Sequence, residues 1–258
     1  MSGLEVVELS VAYGGHKAVS EVSLQAPVGR ITGLIGPNGA GKTTTFNACS
    51  GLLRPTTGRV RLFGQDVTHR SPAHRARLGL GRTFQRMELV NAMSVRVNVG
   101  LGLECVRAGS NPLRQLFSSA SDRRAVDDAT ANALEVCELE GLADRTVATL
   151  STGQRRLVEL ARTLAGGFRV LLLDEPSSGL DEAETERFGG ILQRVVTERN
   201  LGVLIVEHDM ALVMAACDYL FVLDFGCLIF QGTPREVQTS DIVRAAYLGS
   251  EGIGVAAP

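Results

Sequence analysis

A glycine-rich segment between an apolar run and a helical stretch constrains this chain more than any other feature. The segment consists of Gly36, Pro37, Asn38, Gly39, Ala40, Gly41, Lys42, Thr43 and Thr44. The apolar residues 31–35 before it indicate a buried strand, and residues 44–48 after it indicate a helix. A strand, a glycine-rich loop and a helix in this order are typical of a site that holds the phosphates of a nucleotide.

The residues of this loop suit a nucleoside triphosphate. Glycines permit backbone angles that turn consecutive N–H groups toward an anion, and the following helix adds its own N–H groups and partial positive charge. Lys42 is predicted to reach the β- and γ-phosphates, and the Thr43 hydroxyl to ligate Mg²⁺. Of the 26 basic residues only Lys17 and Lys42 are lysines, so the chain keeps a compact ammonium at a position where a guanidinium would not substitute for it.

The composition is that of an ordinary globular protein. The 258 residues are 45% hydrophobic and 21% charged, with a net charge of −2, which gives no general attraction to nucleic acid or anionic lipid. No apolar run approaches the roughly 20 residues that span a bilayer, and no signal peptide is evident. The five cysteines lack C-x-x-C spacing, which favours free thiols in a reducing compartment. We therefore expect a cytoplasmic protein without a nucleic-acid partner.

Two more apolar runs end in charged residues. Residues 170–173 lead into Asp174 and Glu175, and residues 201–206 lead into Glu207 and His208. Such runs predict buried parallel strands, and ligands bind at the carboxyl ends of these strands in open α/β sheets. We expect the two strands to be neighbours, with Asp174 holding Mg²⁺ through water, Glu175 acting as general base and His208 near the γ-phosphate.

Several other features are ambiguous when taken alone. Tyr13, at the end of a predicted strand, is either an aromatic platform for adenine or an ordinary strand tyrosine. Gln85 ends another predicted strand and by itself indicates nothing. The basic residues within 69–86 are interpreted as a solvated, partly helical face rather than a nucleic-acid patch, because no aromatic residues interleave them.

Two helix starts are also ambiguous. Ser151, Thr152, Gly153 and Gln154 fit either a capping box at a helix N-terminus or a second anion-binding site. Asp181 and Glu184 can cap the next helix. Residues from about 89 to 156 have helical patterning without strong strands. This indicates a helical insertion in an α/β core.

The ordered set of features resembles the ATP-binding subunits of ABC transporters over residues 4–249. The segments that carry the resemblance are the aromatic loop at Tyr13, the Walker A loop 36–44, Gln85, the signature 151–154, the Walker B end 174–175, the D-loop 178–181 and His208. Segments 81–85, 207–210, 223–226 and 246–249 are similar to the branched-chain amino acid importer subfamily, in the type with the longer helical insertion.

The resemblance implies a P-loop NTPase (RecA-like) α/β core with an antiparallel β subdomain and a helical insertion. It implies one ABC ATPase domain over 1–258, with the core at about 1–88 and 157–258 and the helical subdomain at about 89–156. It makes Tyr13 the adenine platform, Gln85 a contact to Mg²⁺ and water that senses the membrane subunit, and residues 151–154 the part that closes over ATP of the opposite protomer. The sequence departs from the family pattern at two positions. Thr152 stands where the family has glycine, and Gly179 stands where the family often has alanine.

The function that the resemblance implies is an ATPase, with ATP and Mg²⁺ as cofactors, that drives import of branched-chain or other hydrophobic amino acids. The implied partners are a second identical or homologous ATPase subunit, two transmembrane permease subunits and, indirectly, an extracytoplasmic solute-binding protein, at the cytoplasmic face of the membrane. The alternatives are an importer of urea, amides or another small solute, a soluble ABC ATPase of repair or iron–sulfur assembly, and a regulatory module that binds nucleotide without turnover.

Overall fold

The computed structural model describes residues 3–83, 88–109 and 120–251. Its strands are β1 (Leu4–Tyr13), β2 (His16–Ala26), β3 (Arg30–Ile35), β4 (Thr57–Leu62), β5 (Gln65–Asp66), β6 (Leu80–Arg82), β7 (Val170–Asp174), β8 (Gly202–Val206), β9 (Tyr219–Asp224) and β10 (Cys227–Gly232). Its α-helices are α1 (Lys42–Ser50), α2 (Pro72–Arg77), α3 (Val95–Ala108), α4 (Ala120–Val136), α5 (Thr152–Ala165), α6 (Glu182–Arg199), α7 (Met210–Ala216), α8 (Pro234–Thr239) and α9 (Asp241–Glu251).

One sheet is mostly parallel and lies at the centre of the fold. Its strand order is β10-β9-β3-β8-β7-β6, with only the β9–β10 pair antiparallel. Alternate residues of these strands enter two different cores: Ile205 packs with the helices α5 and α6, whereas Leu204 packs with α1 and the second sheet. The continuous apolar runs follow from this burial on both faces.

The second sheet is antiparallel, in the order β2-β1-β4-β5. Its first hairpin turns over Gly14 and Gly15, which have φ of 52° and 91°, and Tyr13 pairs with His16 across the turn. Two consecutive positive φ angles are what a two-residue hairpin requires, and glycine supplies them without steric cost. The α/β fold class and the antiparallel β subdomain predicted from the sequence are confirmed.

The helices α3, α4 and α5 pack against one another on one side of the parallel sheet. Their contact residues include Val99, Ala133 and Leu160, all buried. Helix α5 also packs against α6, so it connects the helical segment to the core. The division into a core and a helical subdomain at residues 89–156 remains a prediction.

Arg75 does not belong to the solvated face predicted at 69–86. Its side chain is 1% exposed, and its guanidinium donates to the carbonyl oxygens of Ala48 and Cys49 at 2.7 Å, Thr68 at 3.0 Å and Arg70 at 3.2 Å. The first two belong to the last turn of α1, where carbonyl groups lack partners within the helix. The interpretation of this stretch as uniformly solvated was therefore wrong at Arg75.

Arg75→Met is expected to lower the free energy of unfolding by about 3–5 kcal/mol, because it leaves buried carbonyl groups without a donor. Arg77→Met is the matched control, since Arg77 lies exposed on the same helix, and should change the value by less than about 0.5 kcal/mol. Urea unfolding followed by circular dichroism measures both. Equal, small effects would show that the Arg75 contacts contribute nothing to stability.

The remaining global features concern cysteines and membrane spans. All five cysteines are free, as predicted, and burial raises the pKa of the Cys49, Cys137 and Cys217 thiols to about 12. In the described ranges, no helix has the length and apolar character needed to cross a bilayer.

Candidate active site

The phosphate loop connects β3 to α1 at the carboxyl end of the parallel sheet. Gly36 has φ of 147°, and a Cβ there would lie 2.1 Å from the carbonyl oxygen of Leu223. Gly41 precedes α1 in the left-handed conformation, and α1 has no side-chain cap. An uncapped helix N-terminus presents backbone N–H groups and partial positive charge to an anion, so the loop fits the phosphates of a nucleotide.

Lys42 opens α1 and folds its side chain into the loop. The Lys42 side chain is buried, and Nζ donates to the carbonyl oxygens of Gly36 at 2.5 Å and Pro37 at 2.9 Å. Burial lowers the pKa of Lys42, and the nearby Glu175 carboxylate opposes this. The ammonium is thus held beside the loop with limited hydration, a state in which a phosphate oxygen is a favourable partner.

The predicted metal ligands have the chemistry that Mg²⁺ prefers. Thr43 is exposed in the first turn of α1, and Asp174, 7% exposed, ends β7. Burial raises the pKa of Asp174, and Arg82, whose Nη2 lies 3.3 Å from Asp174 Oδ2, opposes the rise. Within the described ranges no group of three or more His, Cys, Asp or Glu side chains forms a cage. A hydroxyl and a carboxylate fit Mg²⁺ that takes its other ligands from phosphates and water.

Glu175 and His208 lie together at the ends of neighbouring strands. β7 and β8 pair in parallel, with Asp174 opposite Val206, as the sequence predicted. His208 Nδ1 lies 3.7 Å from Glu175 Oε1, and the two side chains are 60% and 26% exposed. Both side chains are therefore partly accessible, and the Glu175 carboxylate is near enough to Lys42 to affect its pKa.

Glu207, which sequence reasoning gave no role, directly precedes His208 and is fully buried. Its carboxylate accepts from the Ser177 backbone N–H and hydroxyl on one oxygen, and from the His208 and Asp209 backbone N–H groups on the other. The signal in the sequence was an acidic residue placed directly at the end of an apolar strand. Arg82 was also missed, and its contact with Asp174 depends on a pairing between β6 and β7 that is distant in sequence.

The signature residues begin α5 with a complete capping box. Ser151 Oγ accepts from Gln154 N–H at 3.2 Å, and Gln154 Oε1 accepts from Ser151 N–H at 3.1 Å. Ser151 Oγ also donates to Glu184 Oε1 at 3.1 Å, and a Cβ on Gly153 would collide with the same carboxylate. The contacts described for Ser151 therefore run to its own helix and to α6, while Ser151 and Thr152 are exposed to solvent.

Two of the remaining predicted residues, Tyr13 and Asp181, lie at the end of a strand and directly before a helix. Tyr13 is 53% exposed at the end of β1. Asp181 caps α6 by accepting from Glu184 N–H at 2.8 Å, as the sequence indicated. Gln85 lies outside the described residues.

Comparisons with known proteins agree with this geometry. A family model described as ABC transporter matches residues 19–178, and one described as branched-chain amino acid ATP-binding cassette transporter matches residues 227–253. The chain is 38% identical to the high-affinity branched-chain amino acid transport ATP-binding protein BraF of Pseudomonas aeruginosa, over 95% of this chain and 97% of BraF. It is 35% identical to LivG of Escherichia coli, which has the same description, over 95% of this chain and 97% of LivG.

Among solved structures, the chain is similar to the ADP conformation of MJ1267, an ATP-binding cassette of an ABC transporter. The TM-score is 0.84 at 30% identity, covering 96% of this chain and 99% of that one. The match spans the phosphate loop, the helical segment and the antiparallel strands together.

Proposed function

Because this chain belongs to the family of ABC transporter ATP-binding proteins, we propose that it powers an importer of branched-chain or other hydrophobic amino acids. One observation supports this more than any other. A phosphate loop, an acidic pair and a histidine that suit ATP hydrolysis occur in one chain with the C-terminal segment 227–253 that matches the branched-chain subfamily. The first feature supports the chemistry, and the second supports the class of solute.

The proposed chemistry assigns one task to each residue. Lys42 and the loop N–H groups bind the phosphates, and Thr43, Asp174 (through water) and Gln85 hold Mg²⁺. Bound Mg²⁺ supplies charge neutralisation at the β- and γ-phosphate oxygens. Glu175 accepts a proton from the attacking water, and His208, 3.7 Å from it, contacts the γ-phosphate.

We further propose that two ATPase subunits sandwich two ATP molecules in a head-to-tail dimer. Ser151 and Thr152 are exposed at the N-terminus of α5, where backbone N–H groups suit an anion supplied by another subunit. The lack of a side chain at Gly153 leaves room for Glu184, which accepts from the Ser151 hydroxyl at this helix start. The partner is a second copy or a homologous ATPase, and closing over ATP brings the two subunits together.

Tyr13 is proposed to stack on the adenine ring. Tyr13→Ala should weaken ATP binding by about 1–2 kcal/mol, because the exposed ring is the surface on which the base would lie, whereas Tyr13→Phe keeps the ring and should be nearly silent. Calorimetric titration with ATP compares the variants. Equal losses in both would assign the effect to the hydroxyl and reject stacking.

The proposed partners place the chain at the cytoplasmic face of the membrane. Two permease subunits would receive the motion of the dimer, and a solute-binding protein outside the membrane would deliver the solute. In this arrangement the solute is selected by those partners, because the proposed task of the phosphate site is to bind nucleotide.

Co-purification followed by solute binding tests the proposed solute class. The chain should co-purify with two polytopic membrane proteins, and the solute-binding protein of the same system should bind leucine, isoleucine or valine in calorimetry. If that protein binds urea or an amide instead, the proposed import function stands but the proposed solute class is wrong. Isolation of the chain with soluble partners alone would contradict an import function.

A further inference from the structure

The Glu207 carboxylate is a fully buried group to which the proposed chemistry gives no task. It is 0% exposed and follows the last residue of β8. Oε1 accepts from Ser177 N–H at 2.8 Å and Ser177 Oγ at 2.7 Å, and Oε2 accepts from His208 N–H at 3.0 Å and Asp209 N–H at 3.2 Å. A buried carboxylate is costly unless it is hydrogen-bonded in this way.

The arrangement requires a carboxylate rather than an amide. Both oxygens face two donors, and a carboxylate accepts on both sides. A glutamine of the same size has one acceptor and one NH₂ group, so one pair of donors would meet another donor. The donors on that side would then lose their acceptor, which is destabilising for that segment.

The carboxylate joins the two segments that carry the reacting residues. Ser177 lies two residues after Glu175, and His208 follows Glu207 directly. Glu175 has a left-handed backbone with φ of 46°, which is strained for a residue with a side chain. Such a conformation persists when neighbouring contacts fix it, and here the carbonyl oxygen of Glu175 accepts from Ser178 N–H at 3.1 Å while its N–H donates to Val206 at 2.9 Å.

We infer that Glu207 is a positioning residue that holds Glu175 and His208 in their mutual arrangement by tying the turn at Ser177 to the end of β8. Because Ser178 begins the D-loop, the same carboxylate fixes the start of that loop. The inference rests on the proposal that Glu175 is the general base.

The Glu207→Gln variant tests this in the purified transporter complex, with the activity that remains in a Lys42→Ala complex subtracted. The rate constant kcat should fall about 10- to 100-fold, because a displacement of about 1 Å at the reacting groups costs this much. The affinity for a fluorescent ATP analogue, measured in EDTA to prevent turnover, should stay within about threefold. A loss confined to kcat separates positioning from general damage to the nucleotide site.

A double variant shows whether Glu207 acts through Glu175. In a Glu175→Gln background, Glu207→Gln should lower the remaining rate by clearly less than it lowers the rate of the unmodified complex, because one of the two residues that it positions no longer acts as a base. If the loss of rate in the double variant equals the product of the losses in the two single variants, the inference is overturned. If the Glu175→Gln complex hydrolyses ATP at nearly the unmodified rate, Glu175 is not the general base. The inference about Glu207 is then wrong as well.

Two further variants serve as controls. Asp218→Asn alters another carboxylate that accepts a backbone N–H, from Ile31 at 2.8 Å, but at the opposite end of the parallel sheet, and should leave kcat unchanged. Ser177→Ala removes one donor and should lower kcat about three- to tenfold, so it decides the question if Glu207→Gln does not fold. An unchanged kcat in Glu207→Gln would overturn the inference. If Glu207→Gln does not fold, an unchanged kcat in Ser177→Ala would overturn it.

Discussion

Replacing Glu175 by glutamine is expected to slow ATP hydrolysis by about 10²–10⁴-fold while ATP binding survives. Glutamine has nearly the same size but does not accept a proton from water. Lys42, Asp174 and the loop N–H groups stay in place, so the phosphate contacts are retained. Removal of a negative charge beside the phosphates also lessens repulsion, which favours the nucleotide-bound state.

The purified complex provides the measurement, with hydrolysis assayed as phosphate release and binding as retention of ATP. With Mg²⁺-ATP the Glu175→Gln complex should accumulate a long-lived closed dimer of ATPase subunits that the unmodified complex does not. Glu182→Gln is the matched control, since Glu182 is exposed in the first turn of α6, and it should hydrolyse ATP normally. A near-normal rate for Glu175→Gln would make His208 the next candidate base, and lost ATP binding would make Glu175 structural.

Lys42→Arg is expected to abolish tight ATP binding although the charge is kept. Lys42 Nζ lies between the carbonyl oxygens of Gly36 and Pro37, at 2.5 and 2.9 Å, in a buried space that fits an ammonium. A planar guanidinium is larger and directs its donors in a fixed fork, so it does not fit the same space and reach the phosphates.

The chain contains its own control for this substitution. Lys17 is the other lysine and is exposed on β2, so Lys17→Arg should leave the affinity within about twofold. Calorimetric titration with ATP compares the two. A Lys42→Arg affinity within about threefold of the unmodified chain, under roughly 0.7 kcal/mol, would contradict a geometric requirement at the loop.

The parts of the fold that were predictable from the sequence are those with a local signal. Continuous apolar runs identified β3, β7 and β8, because strands buried on both faces have no polar alternation. The acidic and histidine residues at their ends then followed from the geometry of parallel sheets. Ser151 and Gln154 identified the start of α5, since a capping box is contained in four residues.

The parts that were not predictable depend on contacts distant in sequence. Arg75 looked like one of several solvated arginines, and only the fold brings the end of α1 within reach of its guanidinium. Glu207 and Ser177 are 30 residues apart, so no local pattern relates them. The C-terminal helical segment is divided into α8 and α9 at Ser240, which takes an extended conformation and whose hydroxyl accepts from Val243 N–H at the start of α9.

ATP-driven uptake by the reconstituted complex tests most directly that hydrolysis at this site powers import. The complex is placed in liposomes with ATP inside and the solute-binding protein with radiolabelled leucine outside. The account predicts uptake by the unmodified complex, and a loss of at least about 10²-fold in a Glu175→Gln complex that still contains every subunit and still binds ATP. Uptake by the Glu175→Gln complex at the unmodified rate, or hydrolysis by the unmodified complex without transport of any branched-chain amino acid, would contradict it.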